Sequence, residues 1–303
     1  MAVSVRVTVP ATTANLGAGC DCAGLALALY NKVTLTVAGE GLRITVKGEG
    51  EKNIPRDEGN LVYQAARRVW NTTGFPVPAG IQITLENAIP VGAGLGSSAA
   101  AIIGGMLAAN AAGGAKLSLQ EVLDLAAALE GHPDNVAAAL YGGAVVAVIE
   151  GERVLTLRFP VAAELRAVVA VPAFSLPTAQ SRRVLPLSYV REEVLFNVAR
   201  AALLAGALAC RRYDLLRVAM QDRLYQPYRA PLVPGLNEVL AAALKAGACG
   251  VALSGAGPAV VALTTHDAAA VGDAMGAAFG AAGVQARVLI LQPDAAGARV
   301  EQF

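Results

Sequence analysis

The chain carries, from residue 90 to residue 100, the run Pro90-Val91-Gly92-Ala93-Gly94-Leu95-Gly96-Ser97-Ser98-Ala99-Ala100. A strand pattern at Ile81–Leu85 precedes this run, and an alanine-rich helix pattern at Ser98–Asn110 follows it. Three alternate glycines let the backbone turn tightly and approach an anion without a Cβ in the way. The amides at the start of the following helix are unpaired and favour phosphate. The run therefore predicts a phosphate-binding loop.

Two other phosphate-binding motifs do not fit this run. A Walker-type loop requires Gly-Lys followed by Ser or Thr, and no lysine occurs between Lys52 and Lys116. The dinucleotide-binding fingerprint requires G-x-G-x-x-G after the first strand, whereas this spacing is G-x-G-x-G and lies far into the chain. A plain glycine-rich turn before a small-residue helix remains the alternative. Ser97 and Ser98 favour the phosphate loop, since one hydroxyl suits a phosphate oxygen and the other a metal ion.

The charge and the cysteine and histidine counts exclude several classes of protein. The 303 residues include 24 Lys+Arg and 23 Asp+Glu, so a net charge of +1 provides no field for nucleic acid or an anionic membrane surface. Two His and four scattered Cys leave little material for a His/Cys metal site or a disulfide framework. We expect the cysteines to be buried free thiols.

The low charge raises the question of a membrane protein. Only 16% of the residues are charged, and the mean hydropathy is +0.52. Two charge-free stretches, Val91–Ala115 and Ala246–Thr265, reach the length that spans a bilayer, but glycines interrupt both and Pro258 interrupts the second. The first residues alternate as a strand (Val3–Pro10) rather than as a signal peptide. We therefore expect a soluble, cytoplasmic protein with no membrane partner.

Short strand patterns alternate with helix patterns along the whole chain, which predicts an α+β fold. Several strands are adjacent in sequence and alternate apolar with polar residues, so antiparallel pairing with helices on one face fits best. Gly151–Val161 is the most plausible divide between two halves, 1–155 and 156–303. The predicted strands are Val3–Pro10, Val33–Val37, Leu42–Lys47, Ile81–Leu85, Ala144–Ile149, Leu155–Phe159, Arg166–Val171, Gly250–Leu253, Val260–Leu263 and Val288–Leu291. The predicted helices are Leu61–Asn71, Ser98–Asn110, Leu119–Leu129, Val136–Leu140, Val190–Cys210, Leu236–Lys245 and Ala268–Phe279.

Two further glycine clusters flank the phosphate loop in sequence. The first, Pro10–Leu25, reads as a glycine-rich turn after the first strand, with Asn15 and Asp21 as its polar residues. Asn and Asp in loops usually form turns, so a purely structural role is the alternative to a functional one. The second, Gly250–Ala259, reads as a strand, a tight turn and a second strand, which alone predicts only a hairpin.

Taken together, these clusters resemble the GHMP kinase superfamily and, within it, the homoserine kinase family. Residues 90–100 are similar to the superfamily's P-x-G-x-G-L-G-S-S-A-A, and Ser254–Pro258 to its S-G-S-G-P. Residues 10–25 resemble the family's P-A-T-S-A-N-L-G-x-G-F-D-x-x-G-L-A, with Thr13 in place of Ser and Cys20 in place of Phe. Residues 130–136, Glu-Gly-His-Pro-Asp-Asn-Val, resemble its E-G-H-x-D-N-V.

The resemblance implies both a fold and an activity. The fold is a two-domain α+β GHMP kinase fold, with an ATP-binding N-terminal half like domain 2 of ribosomal protein S5 (1–155) and a ferredoxin-like C-terminal half (156–303). The activity is ATP- and Mg²⁺-dependent phosphorylation of the side-chain hydroxyl of L-homoserine to O-phospho-L-homoserine, a step of threonine biosynthesis. ATP and L-homoserine are then the partners, and a homodimer is common in the family.

Homoserine is a zwitterion, so its site needs a carboxylate for the ammonium group and arginines for the carboxylate group. The resemblance assigns Asp21 to the ammonium, assisted by Asn15, and Arg182 and Arg229 to the carboxylate. Arg183 lies beside Arg182, so that assignment is open by one residue. Each arginine considered alone reads as a solvated surface charge.

The segment 130–136 supplies the remaining candidates for the substrate site. The resemblance places His132, Asp134 and Asn135 at the substrate. A turn cap is the alternative for His132, and a helix N-cap is the alternative for Asp134. Related kinases place an Asp near the reacting hydroxyl, where this chain has Asn135. We therefore predict that no strong general base is used.

The last candidates concern the metal and the nucleotide. Glu130 ends an apolar helix at the unfavourable end of the helix dipole, which a cation would relieve. With Ser98 it is the candidate ligand pair for Mg²⁺, and an exposed helix-end glutamate is the alternative. Ser98, Glu130 and Asn135 are thus the predicted catalytic residues. Asn60 and Val62 resemble a family stretch that lines the purine site, although helix capping explains Asn60 equally well. The remaining predicted ATP-binding residues are Pro90, Val91, Gly92, Ala93, Gly94, Leu95, Gly96, Ser97, Ala99 and Ala100.

Three rival functions remain to be compared. Another GHMP small-alcohol kinase, such as one like mevalonate kinase, has no use for Asp21, because mevalonate has no ammonium group. A non-catalytic ligand-binding GHMP protein has no need to keep metal ligands. A dinucleotide-binding oxidoreductase does not fit the glycine spacing.

Overall fold

The computed structural model describes residues 3–303, which form eleven β-strands and ten α-helices. The strands are β1 Val3–Asn15, β2 Gly19–Val37, β3 Gly41–Gly48, β4 Gly80–Asn87, β5 Ala144–Glu150, β6 Arg153–Phe159, β7 Arg166–Pro172, β8 Gly250–Leu253, β9 Val260–Thr264, β10 Ala286–Leu291 and β11 Arg299–Gln302. The helices are α1 Leu61–Thr73, α2 Ser97–Ala112, α3 Leu119–Glu130, α4 Asp134–Tyr141, α5 Thr178–Arg183, α6 Arg191–Ala209, α7 Leu216–Ala219, α8 Gln226–Arg229, α9 Leu236–Lys245 and α10 Ala268–Ala281.

The larger sheet contains the first strand and carries the predicted phosphate loop. Its order is β11-β1-β2-β4-β3, with β5 joined to β2 and β6 joined to β5. Along β1, Val5, Val7 and Val9 are fully buried while Ser4 and Arg6 are half-buried, as the alternating pattern predicts. Helices α2 and α4 pack on β1 and β2. The α+β class is therefore confirmed.

The glycines of α2 explain the unusual composition of this region. A Cβ at Gly105 would lie 2.4 Å from the backbone oxygen of Val62 in α1, and one at Gly104 would lie 2.6 Å from a methyl group of Val33 in β2. Small residues thus let α2 pack closely between a helix and a strand. The charge-free stretch Val91–Ala115 consists largely of this interior helix. No helix within residues 3–303 is long and apolar enough to cross a membrane.

The smaller sheet has the order β10-β7-β9-β8, and all its pairings are antiparallel. Helices α9 and α10 pack against it, and Val168, Val260 and Phe279 are fully buried in its separate core. The predicted hairpin at Gly250–Ala259 is confirmed, since β8 pairs with β9 across its tight turn.

Three of the differences from the sequence-based expectations concern strand direction, the Pro10–Leu25 segment and the cysteines. Strands β3 and β4 pair in parallel, because helix α1 lies between them in the chain. The helix carries the chain back to the end of the sheet at which β3 begins, so β4 runs in the same direction. The segment Pro10–Leu25 is largely strand rather than turn: its apolar residues continue β1 and β2, and only residues 16–18 turn. Cys210 is exposed and the other three cysteines are half-buried, although all four are free thiols.

The predicted division after residue 155 falls inside β6. This strand extends the larger sheet by pairing with β5, and Gly151 only forms the turn between the two. Strand β11, near the end of the chain, returns to the larger sheet beside β1. A division of the chain at 155 stays a prediction.

Candidate active site

A cleft of about 340 Å³ lies between the phosphate loop and the two glycine clusters that flank it in sequence. Nearly every candidate residue from the sequence lines it: Asn15, Asp21, Asn60, Val62, Pro90, Val91, Gly92, Ala93, Gly94, Leu95, Gly96, Ser97, Ser98, Glu130, His132, Asp134, Asn135, Arg182 and Arg229. Ala99 and Ala100 are instead fully buried in α2 beneath the loop. Residues far apart in the chain thus converge on one site.

The phosphate loop is a tight glycine turn that ends on a helix N-terminus. Gly92, Gly94 and Gly96 have φ values of +68°, +80° and +69°, which residues other than glycine rarely adopt. A Cβ at Gly94 would lie 2.1 Å from the Ser254 carbonyl oxygen. No side chain caps the first turn of α2, and that turn contains no acidic residue. Its amides are therefore oriented for an anion.

The β8–β9 turn braces this loop from the smaller sheet. The Ser254 hydroxyl donates a hydrogen bond to the Gly94 carbonyl at 2.6 Å and lies 2.9 Å from the Thr13 hydroxyl. The Ala259 amide donates to the Ala93 carbonyl at 3.1 Å. The Gly250–Ala259 cluster thus fixes the conformation of the phosphate loop, a role that a hairpin pattern alone does not reveal.

Ser98 and Glu130 meet at the edge of the cleft, as predicted. The Ser98 hydroxyl donates to Glu130 Oε1 at 2.5 Å across 32 residues of sequence. Burial raises the pKa of Glu130 above its usual value, although the Ser98 hydrogen bond and the nearby His132 counter this effect. No lysine or arginine within residues 3–303 forms an ion pair with it. A hydroxyl oxygen and a carboxylate without a lysine or arginine partner fit a Mg²⁺ ion.

Asp21 and Arg182 form an ion pair that lines the same cleft. Arg182 Nη2 lies 2.9 Å from Asp21 Oδ1 and Nη1 lies 3.4 Å from Oδ2, and both side chains are partly exposed. The Asp21 amide donates to Asn15 Oδ1, and Asn15 Nδ2 donates to the Gly255 carbonyl, which holds the turn in place. Arg183 is exposed and lines no part of the cleft, so the geometry selects Arg182.

Arg229 is a buried cation without a carboxylate partner among residues 3–303. Its exposed fraction is 4%, and its guanidinium donates to two carbonyl oxygens, of Ser181 at 3.4 Å and Gly255 at 3.3 Å, and lies over the Tyr225 ring, 5.5 Å from the ring centroid. An arginine removed from water in this way is costly unless an anion pairs with it. The reading of Arg229 as a solvated surface charge is therefore wrong.

His132, Asp134 and Asn135 form a hydrogen-bonded cluster in the cleft, and side-chain atoms of His132, Asp134 and Asp21 lie within 4.8 Å of one another. His132 Nδ1 lies 2.6 Å from Asp134 Oδ1, and the same oxygen accepts the Asn135 amide at 2.8 Å. Helix α4 begins at Asp134 and its N-cap position is Pro133, so Asp134 is not the cap that the alternative required. This carboxylate instead orients the imidazole.

Thr12 is a functional candidate that the sequence did not single out. Its buried hydroxyl donates to Asn135 Oδ1 at 2.7 Å across 123 residues of sequence. The contact occupies the amide oxygen of Asn135 and fixes its orientation, with Nδ2 lying 3.4 Å from Asp134 Oδ1. Thr12 reaches Asn135 only because β1 packs against helix α4, which lies far away in the chain. No local sequence pattern indicates this contact.

The cleft has an apolar wall beside the residues that are predicted to line the purine site. Ile54, Pro55 and Leu61 line it beside Asn60 and Val62. Asn60 Oδ1 accepts the Val62 amide at 3.0 Å and caps α1, while Asn60 Nδ2 donates to the Pro55 carbonyl. Capping therefore accounts for Asn60, as the alternative interpretation proposed, and the residue also borders the cleft.

We expect the Asp134→Asn substitution to lower the pKa of His132. Burial alone lowers this pKa, but the hydrogen bond and charge of Asp134 raise it above its usual value. Removing that charge leaves burial less opposed, so the imidazole loses its proton at lower pH. Proton NMR titration measures this, and a His266→Gln variant identifies which of the two histidine signals belongs to His132.

An unchanged or higher pKa in Asp134→Asn contradicts this assignment. The Asp124→Asn variant is the control, because Asp124 binds the Val154 amide outside the cleft. It should leave the His132 titration as it is in the unmodified chain.

Two family models match this chain. The model of the GHMP kinases N terminal domain matches residues 60–143, and that of the GHMP kinases C terminal matches residues 199–281. Homoserine kinase of Desulfitobacterium hafniense is 46% identical over 297 residues, which are 98% of this chain and 99% of that protein. Homoserine kinase of Carboxydothermus hydrogenoformans is 46% identical over 294 residues, 97% of this chain and 96% of that protein.

Solved structures agree with these relatives. The crystal structure of homoserine kinase from Cytophaga hutchinsonii is 33% identical and superimposes with a TM-score of 0.89, covering 98% of this chain and 97% of that one. L. major mevalonate kinase in complex with R-mevalonate is only 16% identical with a TM-score of 0.66, over 97% and 96%, and shares the fold alone. High identity over nearly the whole length of both proteins, together with the matched glycine clusters, establishes that this chain belongs to the homoserine kinase family of the GHMP kinases.

Proposed function

We propose that this chain transfers the γ-phosphoryl group of ATP to the side-chain hydroxyl of L-homoserine and releases O-phospho-L-homoserine, an intermediate on the way to threonine. One observation carries this proposal: a single cleft combines an uncapped helix N-terminus with a carboxylate and two guanidinium groups. The first suits phosphate, and the other three suit a zwitterion.

One carboxylate and two guanidinium groups are opposite in sign to the ammonium and the carboxylate group of homoserine. Asp21 accepts the ammonium group, while Arg182 and Arg229 donate to the carboxylate. In the absence of substrate, Asp21 and Arg182 neutralise each other at 2.9 Å. When homoserine binds, this partly exposed ion pair is replaced by two new pairs, Asp21 with the ammonium group and Arg182 with the carboxylate group. The same carboxylate group also gives the buried Arg229 an anion. Arg229 therefore contributes most, because its charge has the least contact with water.

The reacting hydroxyl lies, in this proposal, between the zwitterion site and the phosphate loop, beside His132 and Asn135. The amides of Gly94–Ser97 would hold the phosphoryl oxygens, and Ser98 with Glu130 would hold a Mg²⁺ ion. The ion would supply neutralisation of phosphate charge. Phosphoryl transfer passes through a loose transition state, so positioning and charge neutralisation provide most of the acceleration.

No strong general base contributes to this mechanism. Asn135 lies where related kinases carry an Asp, and an amide cannot accept a proton at neutral pH. The hydrogen bond from Thr12 occupies the amide oxygen, which leaves the Nδ2 group to donate. Asn135 thus orients its neighbours, and the hydroxyl proton is transferred to phosphate or to solvent.

We expect Asn135→Asp to lower kcat rather than raise it. A new carboxylate would lie beside that of Asp134, since the Asn135 amide group is 3.4 Å from Asp134 Oδ1. Two like charges at this distance disfavour each other's ionised form and disturb the His132 contact. Steady-state kinetics with saturating ATP measures the effect. If Asn135→Ala abolishes activity while Asn135→Asp raises it, a base matters after all.

The substrate is tested with a panel of alcohols. A coupled ADP-release assay compares homoserine, mevalonate, serine and threonine, each with Mg-ATP. We expect homoserine to have the highest kcat/KM and phosphorus NMR to identify O-phosphohomoserine as the product. Turnover of mevalonate in its place would establish the rival alcohol kinase, and binding of ATP and homoserine without turnover would establish the non-catalytic rival.

A further inference from the structure

Arg229 lies at the end of a helix that is too short to hold its own position. Helix α8, Gln226–Arg229, has four residues and makes about one turn. A single turn is unfavourable by itself, because it orders several residues for one hydrogen bond. The two carbonyl oxygens that accept from the guanidinium are 3.3 and 3.4 Å away, which is long for such a hydrogen bond. Other groups therefore have to fix the position of Arg229.

The Asp222 carboxylate holds the segment that leads into α8. Its Oδ1 accepts the Leu224 amide at 2.8 Å. Its Oδ2 accepts the Tyr225 amide at 3.0 Å and the Gln226 amide at 2.6 Å. One half-buried carboxylate thus binds three consecutive backbone amides and orders the chain where the helix begins. Asp222 itself does not line the cleft.

Helix α6 fixes this carboxylate in turn. Asn197 lies in α6 and is only 3% exposed. Its Nδ2 donates to Asp222 Oδ1 at 2.8 Å, and its Oδ1 accepts the Arg223 amide at 2.8 Å. The Arg223 guanidinium also lies over the Phe196 ring of α6, 3.9 Å from the ring centroid. The long helix α6 therefore anchors Asp222, and Asp222 anchors α8.

The segment that Asp222 holds also contacts Arg229 directly. The Tyr225 ring lies against the Arg229 guanidinium, with its centroid 5.5 Å from the guanidinium carbon. Gln226 Oε1 accepts the Leu253 amide at 2.7 Å, which joins the start of α8 to the end of β8. A displacement of residues 224–226 would therefore move both the ring that supports Arg229 and the first turn of its helix.

We propose that Asp222 is a positioning residue for the carboxylate group of the substrate and acts through α8 and Arg229. This inference rests on the proposed function, because it needs a substrate anion that Arg229 binds. A guanidinium displaced from its place binds that anion less well, even though its charge is unchanged.

Asparagine at position 222 is the most conservative way to remove this support. It has nearly the shape of aspartate but replaces one acceptor oxygen by a donor group. Both oxygens of Asp222 accept from N–H groups, so the new donor faces other donors at either position. At least one hydrogen bond is then lost, and residues 224–226 are held less firmly.

Steady-state kinetics of Asp222→Asn tests this role. We expect KM for homoserine to rise about 10-fold while kcat and KM for ATP change less than about twofold, because only binding of the carboxylate group is weakened. Asp124→Asn is the matched control, since Asp124 also accepts one backbone amide, of Val154, and one side-chain amide, of Gln120, outside the cleft. It should leave KM for homoserine unchanged. Circular dichroism measures whether both variants fold.

A double-variant cycle shows whether the effect passes through Arg229. In an Arg229→Met background, Asp222→Asn should change kcat/KM for homoserine by less than about twofold, because the guanidinium that it positions is gone. A carboxylate that only supports the fold predicts the same loss in both backgrounds.

The contact with α6 is tested by exchanging its two residues. Asn197→Asp alone places a second carboxylate against Asp222 and should raise KM for homoserine. Combined with Asp222→Asn it again places a donor opposite an acceptor, so the two effects should be less than multiplicative. The exchange variant also replaces Asp222→Asn in the comparison with Asp124→Asn if the single variant does not fold.

The possible outcomes separate this inference from the proposed function. Homoserine turnover with an unchanged KM in Asp222→Asn overturns the inference alone. So does a KM for ATP that rises as much as that for homoserine, an equal loss with and without Arg229, or a fully multiplicative exchange variant. An unmodified chain that does not phosphorylate homoserine overturns the proposed function, and this inference with it.

Discussion

Replacing Arg229 by methionine is expected to lower kcat/KM for homoserine by about 10²- to 10³-fold, because truncating one partner of a buried charge pair costs about 2–5 kcal/mol. The substrate carboxylate loses its most desolvated partner. Without substrate, this arginine has no carboxylate partner among residues 3–303 and contacts the carbonyl oxygens of Ser181 and Gly255 and the ring of Tyr225. Removing an unpaired buried charge should therefore leave the unfolding temperature of the substrate-free protein unchanged or higher.

This opposite effect on activity and stability distinguishes a substrate-binding arginine from a structural one. Steady-state kinetics and differential scanning calorimetry measure the two quantities on the same preparation. Arg217→Met, at an exposed position outside the cleft, is the matched control and should change neither. A large drop in unfolding temperature for Arg229→Met, with kcat/KM unchanged, would show that Arg229 only supports the fold.

Replacing Glu130 by glutamine is expected to lower kcat/KM for Mg-ATP by about 10²- to 10³-fold, because a metal ion contributes several kcal/mol to neutralising transition-state charge. Glutamine keeps the size of the side chain and can still accept the Ser98 hydroxyl proton, so the change removes mainly the charge. The apparent Mg²⁺ requirement should rise. Ser98→Ala should have a smaller effect, because water readily replaces one neutral Mg²⁺ ligand.

The pH dependence of the same variant gives an independent check. Burial raises the pKa of Glu130, so this carboxyl becomes protonated, and loses its affinity for Mg²⁺, at a higher pH than an ordinary glutamate. The acid limb of kcat/KM for ATP should therefore be prominent in the unmodified chain and absent in Glu130→Gln. Glu152→Gln, in the exposed β5–β6 turn, should retain it. An acid limb that persists in Glu130→Gln assigns the titration to another group.

The elements that the sequence predicts best are those determined by nearby residues. Alternating valines indicate β1, and a glycine run followed by two serines indicates the phosphate loop and the start of α2. The extension of β1 and β2 through Pro10–Leu25 was missed, because glycines, Asn15 and Asp21 are typical of turns while the pairing that makes them strands is formed with distant residues. Strand β11 was missed for the same reason, since it pairs with β1 from the other end of the chain.

The active-site residues are harder still to predict from local sequence, because their contacts join residues that are far apart in the chain. Asp21 and Arg182 are separated by 161 residues, so no spacing rule could pair them, and only the family resemblance named both. The sequence alone cannot distinguish Arg182 from Arg183, because only the fold determines that Arg182 lines the cleft and Arg183 does not. Thr12 was not predicted at all. A threonine in a buried strand reads as core until the residue that accepts its hydrogen bond is known.

The central claim is that the cleft recognises a zwitterionic amino alcohol through both of its charges. Two analogues each remove one of them: 4-hydroxybutanoate lacks the ammonium group of homoserine, and 3-aminopropan-1-ol lacks the carboxylate. Both retain the reacting hydroxyl at the same distance from the remaining charge. The ADP-release assay gives kcat/KM for all three alcohols at saturating Mg-ATP.

We expect each analogue to fall below homoserine by about 10²-fold or more, since each leaves a charged partner in the cleft unpaired. The loss should be larger for 3-aminopropan-1-ol, because it leaves the buried Arg229 without an anion. Equal kcat/KM for homoserine and either analogue would contradict the account, since the charge removed would then have no partner in the site.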